Sequence, residues 1–301
     1  YGIKLYNSIV NGSSFTIGCC GANFVIQDSY IYQSPFTDYN NYYDVTINKS
    51  QLIESPLYLP SGDVNISKST IMFDETKTFN NPSTYFGSQS LNQMGLKTRK
   101  AIISQSIISG KGNGTAIEIE CNENFSSSIS NTLITNVAEG IKVTGSNGSY
   151  DFQNNNFINN SSYALVNQSN RSILGTNNYW NANSNDDIEN VIFHGNDNLD
   201  YGLVLYSPFL SVANSSAPIA PPSTVLKYIN GGNIMLAWLP NSEADIAGYK
   251  IHYGNYNGNS FANTLDVGTA FINGDTYRRH DITGLISSLD SVVAVTAYDT
   301  D

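Results

Sequence analysis

A short pattern returns along the first two thirds of the chain, and it restricts the possible folds more than any other feature. It consists of an apolar residue, two variable residues, a small polar residue, one more variable residue and a second apolar residue. Phe152-Asn155-Phe157, inside the asparagine-rich stretch FQNNNFINNSS, is one copy. Others are Leu5-Ser8-Val10, Ile26-Ser29-Ile31, Ile47-Ser50-Leu52 and Ile66-Ser69-Ile71. Ile103-Ser106-Ile108, Ile129-Thr132-Ile134 and Leu174-Asn177-Tyr179 continue the series. Successive copies start 21, 21, 19, 37, 26, 23 and 22 residues apart. A steady period of roughly 20 to 50 residues marks a solenoid.

Stacking explains the composition of the repeat. If each copy is one turn of a coil, equivalent residues lie above one another at the strand spacing of about 4.8 Å. The apolar positions then form inward ladders of Ile, Leu, Val and Phe. Ser29, Ser50, Ser69, Ser106, Thr132, Asn155 and Asn177 form a polar ladder at one corner, with side chains hydrogen-bonded along the axis. Asparagine belongs at such a corner because its amide competes for backbone groups in turns. The repeats are too short for helix pairs, and helical periodicity is almost absent.

With this period, the Ser/Asn rung, the late NNYWN and the following IENVIFHGNDNLDYGLVLYSPFL, the chain resembles the right-handed parallel β-helix family, the pectate-lyase-like solenoids. The resemblance covers roughly residues 1 to 210 and implies an all-β fold with a closing segment at its end. A leucine-rich repeat would need Leu-rich rungs and a helical outer half, and the sequence has neither.

At 301 residues the chain has the length of two domains. Only 13% of residues are charged and the formal net charge is −11. With 14 Lys and Arg and no basic cluster, nucleic acid is excluded as a partner, because phosphate neutralisation dominates such binding. No apolar run reaches the ~20 residues of a membrane span. Three cysteines make no disulfide framework. Cys20 and Cys121 occupy similar azimuths but lie about four turns, or roughly 19 Å, apart, and a bridge tolerates about 7 Å. Cys19, Cys20 and Cys121 therefore read as thiols. Eleven N-x-[ST] sequons occur. Asn113 in KGNGT and Asn147 in GSNGS, both in glycine turns, are the glycosylation candidates. Low charge, abundant Asn and an extended solenoid place the chain outside the cell or on its surface.

The domains are expected at 1–213, the solenoid with its closing segment, and 223–301, joined by a Pro/Ser linker at 214–222. Beyond the linker, NIMLAWLP, AGYKIHYG, RRHDITGL and SVVAVTAYD read as strands of a β-sandwich. Trp238, Tyr249, Tyr253, Leu285 and VAVTAYD resemble a fibronectin type III module, with Ser291 where the family has the tyrosine of its corner. The last strand of such a module is missing, and Leu5 begins already in register. Both ends are expected to be contact surfaces, met by more of the same chain or by neighbouring subunits.

Many relatives in the solenoid family are polysaccharide lyases or hydrolases. The resemblance implies that an active site would be a cluster of acidic residues on an outer face, with calcium and a basic residue in the lyases. Glu118 and Glu120 in TAIEIEC project from one outer face about 7 Å apart, and Lys142 of GIKVT is expected beside them. This set could do acid/base work, although a cross-strand charge ladder is the commoner meaning. Asp186, Asp187 and Glu189 are a candidate calcium site, weighed against a solvated turn, and no other cofactor is called for. His194, His252 and His280 lack metal-ligand spacing. Tyr30, Tyr32, Tyr39, Tyr42 and Tyr43 are candidate contacts to sugar or protein. The 37-residue interval from Ile66 to Ile103 holds a degenerate coil or a lateral loop. The expected function is a non-catalytic extracellular scaffold of a cell surface, sheath or filament, mediating assembly or adhesion. Its partners would be other subunits or further domains, and polysaccharide. The alternative is a polysaccharide-active enzyme or a carbohydrate-binding adhesin.

Overall fold

The computed structural model describes residues 3–17, 23–38, 43–77, 93–222, 225–230, 233–241, 246–256, 261–269, 276–283 and 292–299. Cys19, Cys20, Tyr39, Tyr42, Leu285, Ser291 and residues 78–92 of the long interval lie outside these. The chain divides into two compact units, Tyr1–Pro218 and Ile219–Asp301.

The first unit is a parallel β-solenoid of about seven turns. Each turn lays strands on three faces. The first turn is β1 (Ile3–Tyr6), β2 (Ile9–Asn11) and β3 (Phe15–Ile17), and the second is β4 (Asn23–Gln27), β5 (Tyr30–Tyr32) and β6 (Phe36–Asp38). The third opens with β7 (Asp44–Asn48) and β8 (Gln51–Ile53). It ends in β9 (Leu57–Ser67), which runs unbroken from the third face into the next turn's first face. β10 (Thr70–Met72) follows, and β11 (Met94–Ser104) makes the same passage between faces. Next come β12 (Ile107–Ser109), β13 (Thr115–Glu120), β14 (Ser126–Ser130), β15 (Leu133–Thr135) and β16 (Glu139–Thr144). β17 (Ser149–Gln153), β18 (Asn156–Ile158), β19 (Tyr163–Asn167) and β20 (Ile173–Leu174) carry the coil on. The short helix α1 (Asn185–Glu189), β21 (Ile192–Phe193) and β22 (Val204–Leu205) close it.

Each face sends one main apolar ladder inward. On the first face Leu5, Ile26, Ile47, Ile66, Ile103, Ile129 and Phe152 are direct partners. On the second they are Val10, Ile31, Leu52, Ile71, Ile108, Ile134 and Phe157. The third stacks Phe15, Phe36, Leu57, Leu96, Ile117, Ile141, Leu165 and Ile192. From the second turn to the last rungs these side chains are buried, and each contributes about 1.5–3 kcal/mol.

The polar ladder sits at the corner between the first and second faces, but it is bonded differently from the expectation. Side chains do not bond to side chains. At six of these rungs the backbone N–H donates to the side-chain oxygen of the rung one turn on: Ser8 to Ser29, Ser29 to Ser50 and Ser50 to Ser69, each at 3.1 Å. Ser69 donates to Ser106 at 3.2 Å, Thr132 to Asn155 at 3.1 Å and Asn155 to Asn178 at 2.7 Å. Each hydroxyl in turn donates to the carbonyl two residues earlier, as Ser50 does to Asn48 at 2.8 Å. The residue before each rung is left-handed: Asn7, Asp28, Lys49, Lys68, Gln105, Asn131, Asn154 and Asn177 all have φ between 46° and 60°. That conformation turns the chain through the corner, and Asn tolerates it best. In the NNN of the opening stretch, Asn154 makes the bend, Asn155 is the rung and Asn156 faces outward.

Three findings revise the sequence reading of the solenoid. The last rung is Asn178, not Asn177, because that turn keeps the 23-residue offset of the one before it instead of the 22 residues between Phe152 and Leu174. Asp151 pairs with Leu174, which points outward at 38% exposure, and Trp180 takes the inward place, stacked 4.9 Å from Phe157. The interval from Ile66 to Ile103 is a single turn, since these two residues are direct partners. A second serine ladder occupies the next corner, where Ser13 and Ser34 donate from their backbone N–H groups to Ser34 and Ser55 at 3.0 Å. Its sequence signal is the five-residue spacing of Ser8-Ser13, Ser29-Ser34 and Ser50-Ser55.

The second unit holds two antiparallel sheets. One is β23 (Leu226–Asn230), β24 (Asn233–Trp238) and, as its third strand, Arg278–Ile282. The other pairs β25 (Ile246–Tyr256) with β26 (Phe261–Gly268) and with Val292–Asp299; the third strand of the first sheet is β27 and that of the second β28. Ile234, Leu236, Trp238, Tyr249, Ile251, Ile282 and Val295 form its core.

Removing one rung acceptor should orphan a buried donor. Ser50→Ala is expected to lower the unfolding free energy by about 1–3 kcal/mol, read from urea titration. Gln105→Asn, which supplies the residue type that tolerates the left-handed bend, is expected to raise it by up to about 1 kcal/mol.

Candidate functional site

Strand alternation turns every second residue of the third face outward. Its outer row, in register, is Thr37, Tyr58, Lys97, Glu118, Lys142, Val166 and Phe193. Glu118 and Glu120 do share this face. The lysine between them is Lys97, however, not Lys142. Lys97 Nζ lies 2.9 Å from Glu118 Oε1 and 3.0 Å from Glu120 Oε2. Lys142 is the register partner of Glu118, but its ammonium turns to Glu139 at 3.8 Å. Burial works against the charge of Lys97, yet the hydrogen bonds and charges of Glu118 and Glu120 prevail and hold it above the usual lysine range. Sequence spacing missed this contact because Lys97 lies within the 37-residue interval from Ile66 to Ile103, where coil counting loses register.

Beside this trio, β11 slips its pairing with β9 between Thr98 and Lys100. Such irregularities re-aim side chains. Thr98 turns inward and its hydroxyl donates to Gly62 O at 2.7 Å. Arg99 and Lys100 turn outward and both reach Asp63, at 2.7 and 3.4 Å. The Arg99 guanidinium also lies 4.6 Å from the Phe125 ring centroid. A cleft of about 260 Å³ opens here, lined by Pro60, Ser61, Arg99, Glu120, Asn122, Glu123 and Phe125.

A second ionic cluster lies at the far edge of the second face. Asp74 is 2% exposed and is held by Lys111 and by the Thr76 hydroxyl and N–H. Burial opposes its charge, but those bonds bring its pKa down to about 2. Glu75 accepts the backbone N–H groups of Lys111 and Asn113 at 3.1 Å, which fixes the glycine-rich turn 110–114.

The remaining candidates separate from one another. Asp186 and Asp187 lie in the first turn of α1, where Asp187 and the N-cap Ser184 bond reciprocally. Glu189 instead bonds His194 Nε2 at 3.0 Å, while His194 Nδ1 accepts the Val204 N–H at 2.9 Å. Burial disfavours the Glu189 charge, but hydrogen bonds from His194, Asn196 and Tyr206 keep its pKa low. Among the described residues no three His, Cys, Asp or Glu side chains converge on a metal position. His252 lies between Thr264 and Thr296, and His280 is on β27. Tyr30 is 40% exposed and Tyr43 4%; Tyr32 is half-buried. Cys121 is a buried free thiol donating to Glu123 O.

The sequons divide by their hydrogen bonds. Asn167 is fully buried and its amide donates to Arg171 and Gly202 carbonyls. The Asn214 amide donates to Asn131 and Asn154, so a glycan on either side chain is incompatible with these bonds. Asn147 Nδ2 donates to Asn122 O at 2.9 Å. Asn113 stands exposed at its turn.

No protein-family model matches the chain, and no curated protein matches it.

Two outcomes are expected. Lys97→Ala leaves two half-buried carboxylates facing each other and should lower stability by about 1–3 kcal/mol, measured by urea unfolding. Asp74 has a depressed folded pKa, so its contribution is present above the unfolded value of 3.8 and is lost as pH falls toward about 2. Asp74→Asn should flatten the stability profile between those two pH values, read by thermal unfolding.

Proposed function

We propose that this chain is a non-catalytic structural module of an extracellular assembly, such as a surface layer, sheath or filament. The observation that carries the reading is the clamping of Glu118 and Glu120 by Lys97. Carboxylate catalysis on a glycosidic bond needs one group free as acid and another free as base or nucleophile. Here both carboxylates neutralise one ammonium, whose raised pKa keeps it protonated. The trio ties the turn carrying β11 to the next, which is a structural task. The extracellular setting rests on low charge and sequon density, and no helix among the described residues is long and apolar enough to cross a membrane.

We take the coil as right-handed, after the family it resembles. We take the second unit as a fibronectin type III-like spacer; two three-stranded antiparallel sheets around Trp238 and Tyr249 support this. Its partners are then neighbouring subunits or further domains.

A second reading, carbohydrate contact without cleavage, is favoured by the cleft at Arg99 and Phe125. Incubating the protein with pectin-like and alginate-like polymers, with and without calcium, separates the two readings. The scaffold reading expects no sugar release from wild type, E118Q or E120Q. Release that either substitution abolishes would overturn it. Retardation of the protein in polymer-containing gels, lost in Phe125→Ala, would favour the second reading.

A further inference from the structure

Asparagine followed by glycine is a chemically labile pair. With no side chain on the second residue, its backbone nitrogen can reach the carbonyl carbon of the asparagine amide and close a five-membered ring. Three such pairs lie among the described residues of the solenoid: Asn11-Gly12, Asn113-Gly114 and Asn147-Gly148. The structure holds two of them shut. The Gly12 N–H donates to Tyr32 O at 3.1 Å, one turn away. Asn147 is half-buried and pinned: its Nδ2 donates to Asn122 O at 2.9 Å, and its carbonyl accepts the Tyr150 hydroxyl at 2.7 Å. Gly148 is walled in, with Tyr150 Oη 2.9 Å and Cys121 Sγ 3.1 Å from where a Cβ would stand.

Asn113-Gly114 differs. The turn is tied through the amides that precede it: Gly110 N–H to Thr135 O, Gly112 N–H to Asn136 O, and the N–H groups of Lys111 and Asn113 to Glu75. The Gly114 carbonyl accepts the N–H groups of Ala138 and Glu139, both at 3.0 Å. Among the described residues, neither the Gly114 N–H nor the Asn113 side chain has a hydrogen-bond partner. Asn113 is exposed, and nothing lies within 4 Å of a Cβ placed at Gly112, so the outer side of the turn is open. Glycine at 114 is obligatory: its φ is +71°, and a Cβ would stand 2.4 Å from the Gln93 carbonyl oxygen. The fold thus fixes the glycine, leaves its nitrogen unbonded and exposes the amide beside it.

We propose that Asn113-Gly114 is a site of self-modification, at which the asparagine converts to aspartate and isoaspartate with water as the only other reactant. The Gly114 nitrogen gives its proton to solvent base and bonds to Asn113 Cγ. The Cγ–Nδ2 bond breaks, and the amide nitrogen takes a proton from solvent and leaves as ammonia. Water then adds to either carbonyl of the ring and breaks that carbonyl's bond to nitrogen, which leaves a carboxylate and restores an open chain. Nothing is oxidised or reduced. In isoaspartate the main chain gains a methylene between two anchored points, the Asn113 N–H on Glu75 and the Gly114 carbonyl on Ala138 and Glu139. Either product sets a negative charge beside the Glu75 carboxylate that holds the turn, and like charges repel. Conversion therefore releases the Glu75 clamp. This chemistry needs no partner or substrate and so stands apart from the scaffold reading.

The test uses the full chain from a host that adds no N-glycans, kept warm at mildly alkaline pH, either folded or in urea. Peptide mapping with electron-transfer fragmentation reads a mass gain of about one unit per conversion and separates isoaspartate from aspartate. In the folded chain Asn113 is expected to convert about tenfold or more faster than Asn11 and Asn147, whose reactions wait on local opening. In urea the three rates should come within about threefold of one another, because unfolding removes the bonds that distinguish them. Asn113→Gln, which cannot close a five-membered ring, should keep the fold and show no conversion at this position. Asn113→Asp should speed amide exchange at Lys111 and at position 113 by about tenfold relative to Asn113→Gln. An Asn113 that stays intact in the folded chain, or converts no faster than Asn11 and Asn147, would overturn the site. So would the same spread of rates in urea, which would make local sequence the cause. Unchanged exchange in Asn113→Asp would overturn the release of the clamp.

Discussion

One hydrogen bond recurs through the solenoid and makes the rest possible: the backbone N–H of a corner residue donating to a Ser or Asn side chain one turn away. At a corner the strand ladder must break, because the chain changes direction within one residue. The amide that loses its strand partner there is buried. Left unsatisfied, it would cost about 1–3 kcal/mol at every turn. A short polar side chain restores the acceptor without enlarging the corner, and the left-handed residue before it aims the next strand at the next face. Inward apolar ladders supply most of the stabilisation, but the corner sets where each strand begins and so keeps Ile above Ile.

Because register is carried by corners, outer faces are free to differ. The third face is ionic around Lys97, Glu118 and Glu120, and around Asp63, Arg99 and Lys100. In both groups cations and carboxylates from neighbouring turns satisfy each other. That arrangement holds turns together and leaves few unpaired groups for chemistry. The second face is uncharged, and part of it is covered by the returning chain at Asn214. Among the described residues of the solenoid, surface chemistry is thus organised by face and by level along the axis.

Much of the solenoid was legible in the sequence because period, apolar ladders and rung residue types coincide. The parallel architecture and six of the seven rungs expected beyond Ser8 follow from offsets alone. The miss at Asn177 came from counting 22 residues to Leu174, which looked inward because it is apolar, where the register keeps an offset of 23. The pairing of Asp151 with Leu174 and the packing of Trp180 on Phe157 reveal the slip. The bonding mode was also hidden, since a serine ladder reads the same whether its oxygens bond one another or the backbone. The Lys97 contact was lost for a similar reason: the 37-residue interval breaks coil counting, so Lys142, in a regular stretch, looked nearer. Short-range regularity is visible in sequence, whereas contacts that span an irregular turn need coordinates.

The corner account is tested most directly by native-state amide hydrogen exchange. It predicts that the N–H groups of Ser29, Ser50, Ser69, Thr132 and Asn155 exchange only on global unfolding, with the same free energy as the inward ladder residues Ile47, Ile66 and Ile129. Fast exchange at the rung amides, while those strand amides remain protected, would contradict it and show that the corners open independently of the coil.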